Sequence, residues 1–107
     1  MRIASFLLPL PYREAHTEAR KRLLDTFGGY TFSTVMGAWR DDTGRTVLDH
    51  SIRYEVADDW TDANHVRAFL AMVTDCGRLA HQQAMFMVRP SGEASIINLP
   101  ALPSAGG

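Results

Sequence analysis

The chain has 107 residues, 46% of them hydrophobic and 21% charged, with eleven basic and twelve acidic side chains and a formal net charge of −1. That composition belongs to one globular domain and excludes a disordered chain. The near-neutral balance argues against general attraction to nucleic acid or to an anionic membrane surface.

Ile3 to Leu8 is a short apolar run ended by Pro9 and Pro11. It reads as a strand covered on both faces, because proline offers no donor to a ladder. It is too short for a signal peptide, and no small-residue cleavage site follows. A helix comes next. Tyr12, Ala15, Ala19, Leu23 and Phe27 fall on one stripe at three- and four-residue steps, and Gly28-Gly29 offers a left-handed stop. If Phe27 is fully buried, Phe27→Ala is expected to cost about 3–5 kcal/mol.

Tyr30 to Trp39 reads as a strand whose two phases are reconciled by a bulge near Met36-Gly37. Asp41-Asp42-Thr43-Gly44 is a hairpin turn. Thr46 to Val56 returns with Leu48, His50, Ile52, Tyr54 and Val56 on one face and Asp49, Ser51, Arg53 and Glu55 on the other. A second helix runs from about Asp62 to Ala80, with Phe69, Leu70, Val73, Cys76 and Gly77 on its apolar stripe. Ala84 to Val88 is a further strand, with Met85 and Met87 expected on the open face. Pro90-Ser91-Gly92 turns into a last short strand, Ala94 to Leu99. Residues 1–99 are expected to form the domain and 100–107 a flexible tail.

Strand, helix, strand, strand, helix, strand is the order of an α+β ferredoxin-like sandwich, βαββαβ. Two right-handed crossovers put both helices on one face of an antiparallel sheet, with an extra C-terminal hairpin strand.

No constellation of catalytic side chains stands out. The four histidines lack ligand spacing, so no metal site and no cofactor is expected. Cys76 lies on an apolar stripe, reads as a small hydrophobe and cannot form an internal disulfide. Arg13 follows a proline-bracketed loop that lacks the glycines of the acylphosphatase phosphate loop, which argues against phosphoryl chemistry. The third strand's acids exclude the aromatic platform of RNA-binding domains.

The segments Phe27-Gly28-Gly29-Tyr30-Thr31, Gly37-Ala38-Trp39-Arg40-Asp41, Arg53-Tyr54-Glu55-Val56 and Gln83-Ala84-Met85-Phe86 carry a resemblance. In them the chain resembles small uncharacterised ferredoxin-like proteins of bacterial, plasmid and phage genomes. The resemblance implies a fold and no activity.

The expected role is a non-enzymatic protein-interaction module, a regulator or inhibitor from a mobile element. It would act in the cytoplasm as a homodimer or on another protein through the open sheet face. Trp60, Met85 and Met87 are the candidate interface residues. The alternative is a ligand-binding or enzymatic dimeric α+β-barrel protein with a pocket near His50, lined by Trp39, His50 and Tyr54.

Overall fold

A computed structural model describes residues 1–99 of the chain. The tail expected over 100–107 lies outside the described residues. The first strand is β1 (Arg2–Pro9), and Ser5 is buried on its outer face. Ala4, Phe6 and Leu8 are buried, while Ile3 is exposed and Leu7 half-buried on the opposite side. The second face of the run is thus covered only in part, at Ser5 and Leu7.

Helix α1 (Arg13–Phe27) buries Ala15, His16, Ala19 and Leu23. It ends at Gly28, whose φ of 79° places it in the left-handed region that glycine tolerates best. Phe27 is only half-buried at the core's edge. Its replacement by Ala should therefore cost less than that of a fully enclosed aromatic.

Strands β2 (Thr31–Arg40) and β3 (Thr46–Asp58) form a long hairpin. Their register runs unbroken from Thr31 opposite Glu55 to Arg40 opposite Thr46, so the bulge expected at Met36-Gly37 is not there. Both side-chain phases are apolar because the arm holds apolar residues on both faces.

Helix α2 (Ala63–Leu79) starts at Asp62, whose carboxylate accepts the Asn64 N–H at 2.8 Å. It buries Phe69, Met72, Val73, Cys76 and Gly77. A Cβ on Gly77 would lie 2.5 Å from Leu99 Cδ1 and 2.7 Å from Met85 Cγ, so any side chain there would have to displace Leu99 and Met85. Arg22 ties the helices together with a 2.7 Å ion pair to Asp75.

Strands β4 (Ala84–Val88) and β5 (Ala94–Asn98) complete an antiparallel sheet of order β2-β3-β1-β4-β5. The first four strands and two helices have the ferredoxin-like arrangement, and β5 extends the edge. Among the described residues, no helix is long and apolar enough to cross a membrane.

Two corrections concern the expected interface residues. Phe6 lies opposite Met87, which puts Met87 on the helix side with Met85. Both are at most 2% exposed, and Phe86 takes the open face instead. Trp60 is 7% exposed, with its Nε1–H donated to the Arg2 carbonyl at 2.9 Å and its ring edge-on to Phe27 and Phe69. The polarity of the surrounding loop hid a core residue.

Candidate functional site

A chain of buried hydrogen bonds runs beneath the start of α1. Helix α1 begins just after Pro9-Leu10-Pro11, which carries His16 back over the end of β1. His16 Nε2 lies 2.7 Å from the Pro9 carbonyl oxygen, and Nδ1 lies 2.6 Å from the Tyr54 hydroxyl. A carbonyl only accepts, so Nε2 carries the proton. In the neutral ring Nδ1 then accepts from the Tyr54 O–H. Arg20 Nε–H donates in turn to the Tyr54 oxygen at 3.2 Å. The donor order Arg20, Tyr54, His16, Pro9 satisfies every group in the series.

Tyr54 has no exposed surface, and Phe6 and Tyr30 pack against its ring. Burial pushes its hydroxyl above the ordinary phenol value, while the Arg20 guanidinium pulls the other way. Burial dominates and keeps Tyr54 protonated, as its donation to His16 requires. Arg20 also lies over the Phe32 ring, 5.4 Å from its centroid. Its Nε is bonded to Tyr54, and among the described residues its terminal nitrogens have no acceptor.

These groups open on a cleft of about 390 Å³ lined by Leu10, Arg13, His16, Thr17, Arg20 and Ile52. Two cations face it, and among the described residues no carboxylate lines it. A second depression of about 410 Å³ runs along α1 beside Glu14, Glu18 and Leu79. Among the described residues it lacks a buried polar network, so the first cleft is the better candidate site.

Trp39, His50 and Tyr54 do not meet. Trp39 lies on the opposite face of the sheet, donating to Asp49 at 2.7 Å. His50 is exposed opposite Met36 and does not line the cleft, though its backbone carbonyl accepts from Leu10 N–H at 3.0 Å. The reason is reach. The hairpin projects past the helices, so β3 is covered from Ile52 onward and Leu48 remains 65% exposed.

Tyr54 joins His16 and Arg20, neither of which the sequence reading selected. A signal for His16 was present: Tyr12, His16, Ala19 and Leu23 follow steps of four, three and four. Arg20 gave none, because it reads as part of the charged face. Among the described residues, no group of three His, Cys, Asp or Glu side chains is placed to hold a metal.

No protein-family model and no curated protein matches the chain. Solved structures do. A phage SAM lyase in its apo state superposes with a TM-score of 0.69 at 10% identity, covering 94% of this chain and 91% of that one. A phage SAM lyase bound to S-methyl-5′-thioadenosine gives 0.62 at 11% identity, covering 92% and 88%. The divalent cation tolerance protein CutA1 of Thermus thermophilus gives 0.48 at 15% identity, covering 95% and 84%.

The likeness to the phage proteins is one of fold, and it overturns the expectation of a non-enzymatic interaction module. The same fold at nearly the same length is an enzyme's. The residues that were to form the interface, Trp60, Met85 and Met87, are also buried.

Tyr54→Phe tests the network. It removes one hydroxyl and leaves His16 Nδ1 and Arg20 Nε without their partner. With His16 only 7% exposed, the expected loss is about 1–3 kcal/mol in urea unfolding.

Proposed function

We propose that the chain is a small-molecule enzyme whose α1 cleft binds an adenosyl sulfonium compound, S-adenosylmethionine, and cleaves it as a lyase. The observation that carries the reading is the Arg20–Tyr54–His16 network, fixed beneath a cleft lined by two arginines. The ligand class is suggested by the neighbours of the same fold, a SAM lyase and its complex with S-methyl-5′-thioadenosine.

When a sulfonium carbon–sulfur bond breaks, both electrons go to sulfur, and the neutral thioether leaves without needing a proton. The carbon must receive an electron pair. The substrate's own carboxylate supplies it, closing a lactone as the thioether departs. The protein then has to hold that carboxylate in line and exclude water. In this reading that role falls to Arg20, held by Tyr54 and Phe32, and to Arg13, which lines the same cleft. Tyr54 has no exposed surface and acts only by positioning Arg20.

Incubation with S-adenosylmethionine, followed by chromatography, should release methylthioadenosine. Arg20→Met should slow release about tenfold or more, the scale of one lost charge-assisted hydrogen bond. Binding seen by calorimetry without release would sink the lyase step. No binding of either compound would sink the ligand class as well.

A further inference from the structure

The opposite end of β1 carries a second cleft of about 310 Å³, lined by Arg2, Trp60, Val66, Leu70, Arg89 and Pro90. Trp60 has a φ of 60°. A bulky side chain in the left-handed region is an outlier that persists only where its surroundings enforce it. Here Asp58 Oδ2 accepts the Trp60 N–H at 3.1 Å, and the indole N–H is tied to the Arg2 carbonyl at 2.9 Å. Phe27 and Phe69 brace the ring at centroid distances of 5.4 and 5.7 Å. The indole is thus a fixed apolar wall.

Among the described residues, the cations beside it are not ion-paired. Arg89 Nε–H donates to Ser95 Oγ at 2.8 Å, which orients the guanidinium. Among the described residues its terminal nitrogens have no acceptor, and the Arg2 side chain has neither a hydrogen bond nor an ion pair. Asp58, opposite Arg2 on β3, holds the Trp60 N–H and His65 Nδ1 on its Oδ2, each at 3.1 Å, and makes no ion pair with Arg2. Among the described residues no acid lines the cleft. In a chain of net charge −1, two unpaired guanidinium groups beside an aromatic wall complement an anion with an apolar body.

We propose that this cleft is a binding site for a small aromatic carboxylate, with the acid between Arg2 and Arg89 and the ring against Trp60. The site stands apart from the α1 cleft. The two lie at opposite ends of an eight-residue strand, roughly 25 Å long at the usual rise. The proposal does not depend on the lyase reading.

The protein has two tryptophans, so Trp39→Phe leaves Trp60 as the only indole reporter. In that background, 3-phenylpropionate is titrated while Trp60 fluorescence and the backbone amide NMR shifts are followed. A saturable change is expected, with shifts centred on Arg2, Trp60 and Ser91. The neutral 3-phenylpropionamide should bind about tenfold more weakly or worse, and so should the acid to Arg89→Met or Arg2→Met. Arg20→Met should leave the titration unchanged, which separates this site from the α1 cleft.

Equal affinity for acid and amide would overturn the proposal. So would arginine variants that fold, by circular dichroism, and bind like the parent. Inorganic phosphate competing as strongly as the acid would reduce the cleft to a general anion patch and overturn the aromatic part.

Discussion

Replacing Phe6 with Ala lowers the unfolding free energy by about 3–5 kcal/mol, the range for a fully enclosed aromatic. Phe6 is 1% exposed on the central strand. Its ring contacts Tyr54 at 5.3 Å and Phe69 at 6.0 Å, so one side chain joins β1, β3 and α2. Neighbours held by two elements each cannot collapse into the space, and the cavity penalty adds to the lost transfer energy. Ile96 is the control. It is 70% exposed, and Ile96→Ala should shift stability by under about 0.5 kcal/mol. Urea melts with a constant slope check both. Equal and mild effects would mean that Phe6 does not sit at the centre of the core.

Stability is expected to fall in alkali, with Cys76 as a principal cause. Burial pushes its thiol from 9.0 up to about 12. Below pH 9.0 the thiol is protonated in both the folded and unfolded chain, and the stabilisation is fully present. As pH rises from 9.0 towards 12, the unfolded chain sheds the proton while the folded chain keeps it. The native state therefore loses about 2–4 kcal/mol across that window, the lower figure allowing for solvent screening. Tyr54, raised from 10.0 by its own burial, acts in the same direction. Cys76→Ala carries a cavity cost at every pH, so the slope is the quantity to compare. Urea midpoints at neutral and alkaline pH should differ less in the variant than in the parent. Identical slopes would show that Cys76 reaches solvent in the native state.

The buried thiol also illustrates what periodicity reveals. The stripe from Phe69 to Gly77 marked Cys76 as enclosed, and the Gly28 stop and the Asp62 start followed from local backbone chemistry. These features depend on residues within a few positions of one another, so the sequence displays them directly. The element order, and with it the ferredoxin-like arrangement, follows from such local signals together with the handedness of crossovers.

Which face a short strand buries was not legible in the same way. Met85-Phe86-Met87 is apolar in both phases, and only pairing of Met87 with Phe6 decides that the methionines go inward. The inner face of β3 is apolar from Leu48 to Val56, yet its first half is uncovered because the helices do not reach that far. His50 was placed in a pocket on that account. The site itself joins His16 and Arg20 on α1 to Tyr54 on β3, thirty-eight and thirty-four positions away. Hydrogen bonds between residues so distant have no period to betray them. The sequence by itself determined the elements, their order and the buried helix stripes, because those follow from local sterics and side-chain spacing. Only the tertiary structure decided which strand faces are covered and which polar groups meet, because both depend on where the helices end over the sheet.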